Sequence, residues 1–226
     1  MKRDFLELSD KLDLANFLGI TVKQLDFNLY NTEGRYNSFS IPKKSGGKRI
    51  ILAPIPSLKT IQAKLEKEFS KHYKIKNHVH GFVSKKGIKS NAKIHIKQNH
   101  VLNLDLENFF PCINFGRIRG IFLKNPFNFN QEVASLLAQL CTQNNQLPQG
   151  SPCSPVLSNF ICRRLDNELR KLAAGNKCYY SRYADDITIS TNLKFFPGGI
   201  AKIIQEKIEL SYPVLKIVKS NGFIVN

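Results

Sequence analysis

The chain has 226 residues, 42% of them apolar and 23% charged, with a formal net charge of +17. That length supports one large domain or two modest ones, and the composition excludes a disordered chain, while the lack of any run of 18 apolar residues speaks against a membrane-spanning helix. The opening stretch is basic and then apolar, but acidic residues interrupt it, so no secretion signal is expected and a cytoplasmic protein is the default.

Phe5 opens an amphipathic stretch predicted to be helical over residues 5–18, with Leu8, Leu12 and Leu18 among its apolar positions. A second helix is expected from Thr21, where Thr21 and Gln24 have capping-box spacing. Two β-rich runs, 36–41 and 48–53, flank KKSGG and predict a hairpin that Pro54 and Pro56 stop. Ser57 is expected to cap a helix whose apolar positions Leu58, Ile61, Leu65 and Phe69 recur at steps of three and four. After a Gly- and Lys-rich stretch, 101–106 alternates as a strand, with three leucines on one side and Asn103 and Asp105 on the other. Further helices are expected at 130–143 and at 155–173, the latter closed by Gly175 near its C′ position. Strands at 178–183 and 187–190 surround Ala184-Asp185-Asp186. Helical character is predicted at 198–209 and 213–220, before a last strand, FIVN, introduced by Gly222.

Fifteen Lys and Arg lie between Tyr36 and Leu104 against only Glu66 and Glu68. Such a block favours a polyanionic partner through phosphate contacts and counterion release, although a merely solvated basic face would have the same composition. Five cysteines (Cys112, Cys141, Cys153, Cys162, Cys178) are odd in number and form no CxxC pair. They read as reduced, buried thiols rather than a disulfide framework or zinc site.

Three carboxylates have unusually apolar neighbours: Asp105 in VLNLDLENFF, and Asp185 and Asp186 in SRYADDITIS. An acid among core residues needs a partner, because an unpaired buried carboxylate is costly. A hard divalent cation is one such partner. Mg²⁺ takes oxygen ligands from one or two carboxylates plus substrate phosphates, and two ions roughly 3.5–4 Å apart stabilise the attacking and leaving oxygens of an in-line displacement. In a regular strand adjacent residues point to opposite faces, whereas in a tight turn both can crowd one tip. Asp185 is therefore expected as a full metal ligand and Asp186 as a weaker or outer participant; an ordinary surface turn is the alternative.

The motif Tyr183-Ala184-Asp185-Asp186 resembles the YxDD motif of reverse transcriptases. Asp105 stands in LDLENFFP, similar to that family's first palm motif, and LPQGSPCSPVLSN resembles its nucleotide- and template-contacting motif. IPKKSGGKRIILAP resembles the fingers hairpin that grips the triphosphate. Asn91-Ala92-Lys93-Ile94-His95 resembles NAxxH, an element of the retron subfamily. The resemblance implies an α+β fold: right-hand polymerase fingers and palm, with an antiparallel palm sheet packed on helices. It divides the chain into a helical segment (1–30), fingers (31–98), a first palm part (99–128), a fingers–palm connection (129–154) and a second palm part (155–226), with the thumb absent.

The resemblance further implies metal binding by Asp105, Leu106, Asp185 and Asp186, catalysis by the three aspartates, and two Mg²⁺ ions, with Mn²⁺ as substitute. Nucleotide contacts fall to Lys48, Arg49, Phe110, Gln149 and Gly150, with Arg49 as the best counterpart of the family's triphosphate-binding arginine and Lys43, Lys44 and Lys48 all candidates for the second triphosphate contact. An Arg fork would hold a phosphate bidentately and a Lys as a point charge. Phe110 takes the place of the family's sugar discriminator, whose ring excludes a 2′-hydroxyl, and Phe109 is expected in the core. Gly150 would allow close backbone approach to the nucleotide, and Gln149 a hydrogen bond near it. Lys43, Lys44, Asn91, His95 and Tyr183 are candidates for nucleic-acid contact; for His95 a hydrogen-bonded structural role is the competing reading. The implied activity is copying a structured non-coding RNA into RNA-linked DNA from dNTPs in antiphage defence, with a toxin or effector protein as a further partner and no membrane. The rival readings are a reverse transcriptase of another lineage, group II intron or phage-defence type, and a nucleic-acid-binding scaffold inactive without a thumb.

Overall fold

The computed structural model describes residues 4–31, 33–43, 46–211 and 217–225. Along the chain run α1 (Lys11–Leu18), α2 (Val22–Tyr30), β1 (Tyr36–Pro42), β2 (Lys48–Pro54), α3 (Pro56–His72), α4 (Ile88–Ala92), β3 (His100–Leu106), α5 (Phe115–Phe122), α6 (Gln131–Cys141), α7 (Ser154–Gly175), β4 (Tyr179–Tyr183), β5 (Asp186–Thr191), α8 (Ile200–Ser211) and β6 (Ile217–Val225). They fall into two compact units, Met1–Tyr73 with Ile113–Ile161 and Lys74–Cys112 with Cys162–Asn226. Antiparallel sheets accompanied by helices make this the α+β arrangement expected from the sequence.

In the first unit the helix expected over 5–18 is broken into a 3₁₀ turn, Phe5–Glu7, and α1. The side chains of Asp4 and Asp10 accept the backbone N–H groups of Leu6 and Asp13, so each starts a helix of its own. Leu12 consequently faces solvent while Phe5, Leu8 and Leu18 are buried. The Thr21–Gln24 capping box is formed, and β1 pairs with β2 from Tyr36↔Pro54 to Pro42↔Lys48. Ser57 does not cap α3. Pro56 occupies the first turn, Ile55 precedes it without a side-chain cap, and the Ser57 hydroxyl donates to Asn28 Oδ1 at 3.0 Å. Leu58, Ile61, Leu65 and Phe69 do form the buried stripe of α3.

Sequence reading passed over α5, although Asn114 caps it and Ile118 and Phe122, one turn apart, are its buried positions. Phe5, Phe69, Phe122, Phe127 and Phe129 build an aromatic core with ring centroids 5.1–6.2 Å apart, mostly in tilted or edge-to-face pairs. Arg35 is buried, and among the described residues no carboxylate lies in hydrogen-bonding range of it. Its guanidinium donates to the carbonyls of Asn28, Gln139 and Thr142 and to Gln143 Oε1, at 2.8–3.1 Å. These carbonyls stand at the C-terminal ends of α2 and α6, where unsatisfied oxygens and the helix dipole favour a cation.

The second unit is built on a four-stranded sheet in the order β4-β5-β3-β6, antiparallel throughout. Leu102, Leu104 and Leu106 are buried and Asn103 and Asp105 half-buried, as the alternation requires. The helix α7 continues through Gly175, and the left-handed residue after it is Lys177, not the glycine. Ile200, Ile204 and Ile208, one turn apart, are the buried positions of α8. The helix expected over 213–220 lies partly outside the described residues; 217–220 are strand, the start of β6, because they complete the ladder of β3. All five cysteines are buried, and none is in a disulfide among the described residues. Among the described residues no helix is long and apolar enough to cross a membrane.

Candidate active site

Within the second unit, β3 and β5 run antiparallel with Asp105 directly opposite Asp186. Directly opposed residues project from the same face of a sheet. Asp185 lies on the two-residue turn between β4 and β5, and its carbonyl accepts the Leu106 N–H at 3.2 Å. The ladder therefore sets Asp186, which sequence reasoning gave the lesser role, across from Asp105, with Asp185 on the adjoining tip. On the far side of β3, Asp105 is in register with Lys219 of β6.

Solvent reaches Asp186, yet its carboxyl is pushed up to about 6, first by burial and then by the like charges of Asp185 and Asp105. Such crowding of negative charge is what a hard cation relieves. The oxygens available here, three carboxylates and the Leu106 backbone carbonyl, are of the hard kind that suits Mg²⁺ or Mn²⁺. Among the described residues no three His, Cys, Asp or Glu side chains make a ready-made cage for an ion.

The turn carrying Asp185 is held from three directions. Ala184 has φ of 56°, a left-handed conformation that costs an L-residue roughly 1–2 kcal/mol. Beneath it, fully buried Arg182 donates from Nε and a terminal nitrogen to both oxygens of Asp166 at 2.7 and 2.8 Å, and from its other terminal nitrogen to the Ala184 carbonyl at 2.8 Å. Tyr180 adds a hydroxyl donated to Asp166 Oδ1 at 2.7 Å. On the flank of β4, His80 N–H donates to the Arg182 carbonyl and Arg182 N–H to the His78 carbonyl, each at 2.9 Å. Gly81 then lies so close to Ala184 that a Cβ would overlap its backbone nitrogen.

His95 is turned inward. Its ring nitrogens lie 2.7 Å from the hydroxyls of Ser181 on β4 and Ser190 on β5, and burial lowers its pKa to about 4. This is the structural role of the two readings and a correction to nucleic-acid contact through the ring, which has no free nitrogen to offer. Asn91, half-buried on α4, has a buried Oδ1 with no hydrogen-bond partner among the described residues. Tyr183 closes β4, half-buried. Phe109 is buried as expected, and half-buried Phe110 packs on it at 5.3 Å between centroids.

In the first unit, Lys48 and Arg49 start β2 and are exposed, as is Lys43 in the hairpin loop. Lys44 lies outside the described residues. The Pro148-Gln149-Gly150 loop docks on the same strand: the Gln149 carbonyl accepts the Leu52 N–H at 2.9 Å. Gly150 has φ of 131°, and a Cβ there would come within 2.7 Å of the Leu52 carbonyl oxygen, so only glycine fits. Ser151 pins the loop to α3 through Gln62 at 2.9 Å. Arg49 and Gln149 are thus brought to one strand, a relation that 100 residues of sequence separation hid.

Sequence reasoning missed Asp166, Arg182 and the segment His78–Phe82. An arginine two residues after a tyrosine in a buried strand signals a hidden acid, but nothing in the sequence points to Asp166 as that acid.

An antiparallel sheet presenting one acid on a strand and two at the adjoining hairpin is the arrangement of a right-hand polymerase palm. Residues 41–211 match the family described as reverse transcriptase (RNA-dependent DNA polymerase), and the chain belongs to that family. It is 32% identical to the retron Ec86 reverse transcriptase of Escherichia coli over 95% of this chain and 64% of the relative. To the retron Mx65 reverse transcriptase of Myxococcus xanthus it is 33% identical, over 86% and 51%. To the retron Se72 reverse transcriptase of Salmonella heidelberg (strain 579083-10) it is 34% identical, over 85% and 51%. The chain thus spans between about half and two thirds of the length of these relatives.

Proposed function

We propose that the chain carries the catalytic part of a retron RNA-directed DNA polymerase. A primer hydroxyl attacks the α-phosphate of a dNTP, and pyrophosphate leaves. The observation that carries this reading is the opposition of Asp105 and Asp186 across β3 and β5, with Asp185 on the turn between, in a chain of the reverse transcriptase family. Asp105, Asp185 and Asp186, with the Leu106 carbonyl, would hold divalent cations, which neutralise charge on the transferring phosphoryl group. Arg49, assisted by Lys48, steadies the triphosphate, Gln149 and Gly150 contact the nucleotide, and Phe110 excludes ribonucleotides. Exposed Lys43 and the basic block around it favour a nucleic-acid backbone.

The retron assignment draws on the names of the relatives and on the NAxxH pattern. It makes the template a structured non-coding RNA, the product RNA-linked DNA and the setting antiphage defence in the cytoplasm, with a toxin or effector protein as partner. The test is dNTP incorporation on an RNA template by the full-length protein, with Asp185→Asn as control and chelator added and then reversed by Mg²⁺ or Mn²⁺. Undiminished synthesis by the variant sinks the polymerase assignment. Sequencing of copurified nucleic acid tests the retron part: one defined branched RNA–DNA species is expected, and a heterogeneous pool of unlinked DNA refutes it.

A further inference from the structure

Phe82 combines two unfavourable features. Its backbone has φ of 59°, a region that bulky L-residues rarely enter, and its large apolar side chain is 42% exposed. A glycine or asparagine would sit there without strain and without exposing a ring to water. What the phenylalanine provides is a contact: its ring lies 6.0 Å from that of Phe110, tilted by 47°. Phe110 also packs on buried Phe109, at 5.3 Å and 63°. The Phe110 ring is therefore bounded by one aromatic from the core and one from the surface.

The support behind Phe82 is rigid. The residues before it are bonded to β4 through His80 N–H and the His78 carbonyl. Gly81 abuts the backbone of Ala184, where a Cβ would lie 3.0 Å from Cα and closer still to nitrogen. The residues preceding Phe82 are thus anchored to the strand and turn that present Asp185.

We propose that Phe82 is a specificity-determining positioning residue that backs the Phe110 ring and so sets the preference for deoxyribonucleotides. This rests on the polymerase reading and on Phe110 as the sugar discriminator. Exclusion of a 2′-hydroxyl by a ring works only if the ring cannot yield, and a ring packed on one side alone can rotate away. Phe82 removes that freedom without touching the sugar itself.

The test compares kcat/KM for dTTP and UTP on an RNA template with full-length protein carrying Phe82→Gly, Phe82→Leu or Phe82→Tyr. We expect Phe82→Gly to lower the dTTP-over-UTP preference about tenfold, mainly through a lower KM for UTP, with kcat for dTTP within about threefold of the parent. Phe82→Tyr keeps the preference and Phe82→Leu falls between. Glycine relieves the left-handed strain, so the melting temperature of Phe82→Gly stays level or rises; a purely structural role would lower it and leave selectivity untouched. Parent-like selectivity in Phe82→Gly overturns the inference while leaving the polymerase reading intact. No incorporation by the parent protein overturns the polymerase reading and this inference with it.

Discussion

Replacing Asp166 by Asn leaves the Arg182 guanidinium inside the second unit with its charge unmatched. The pair has side-chain exposures of 0% and 1% and is joined bidentately at 2.7 and 2.8 Å, so neither solvent nor a surface rotamer can compensate. Removing one partner of such a pair costs about 3–5 kcal/mol, most of it from the stranded charge. For a chain of this size that corresponds to a fall of roughly 6–20 °C in melting temperature. The partners should therefore be removed together to separate pairing from packing. Asp166→Leu with Arg182→Met eliminates the charge but leaves the Tyr180 hydroxyl without its acceptor, a residual cost of about 1–3 kcal/mol. Adding Tyr180→Phe removes that cost as well and should restore most of the stability. Urea unfolding measures all three variants, and the restored protein should still incorporate dNTPs poorly, because the Ala184 carbonyl has lost its Arg182 donor. A loss below about 1 kcal/mol for Asp166→Asn would refute the buried-pair reasoning, and full activity in the triple variant would refute the claim that Arg182 holds the turn.

Three further outcomes follow from the geometry. Gly81→Ala forces a Cβ into the Ala184 backbone; a cost of about 1–3 kcal/mol is expected with displacement of the Asp185 turn, and unchanged stability and incorporation would contradict it. Gly150→Ala meets both φ of 131° and the Leu52 carbonyl, so a loss of about 1–3 kcal/mol is expected on denaturation, and an alanine variant as stable as the parent would refute the close approach. His95 has its pKa lowered from 6.5 to about 4, so between those values the unfolded chain binds a proton that the folded chain does not. Stability accordingly falls as pH drops through that window and levels off below it. His78 and His80, also lowered chiefly by burial, add to the slope. Urea midpoints between about pH 7 and about pH 5 measure the effect, and an identical slope in His95→Asn would show that His95 is not its source.

Local patterns carried much of this protein on their own. The alternation of Leu102, Leu104 and Leu106 around Asp105 determined which face of β3 is buried, the Thr21–Gln24 spacing determined the start of α2, and the spacing of Leu58, Ile61, Leu65 and Phe69 determined the face of α3. The order of LDLENFFP, LPQG and YADD was enough to nominate the acids. Errors arose where a signal was ambiguous or its arbiter lay far away. The run over 5–18 contained a second cap, Asp10, and Ser57 lost its capping role to Pro56 and bonded Asn28 instead. The stretch ending at Ser220 has helical periodicity, and the pairing of 217–220 with β3, more than a hundred residues away, is invisible to local pattern.

Tertiary structure alone decided that Asp186 stands in register with Asp105 while Asp185 sits on the adjoining turn, that Arg182 finds Asp166, that His95 is spent on two serines, and that Phe82 reaches Phe110. Each is a contact between residues distant in the chain or a consequence of strand register, and register is a property of two strands together. A sequence can name the residues of a site through their local chemistry, but their mutual arrangement comes from packing across the sheet.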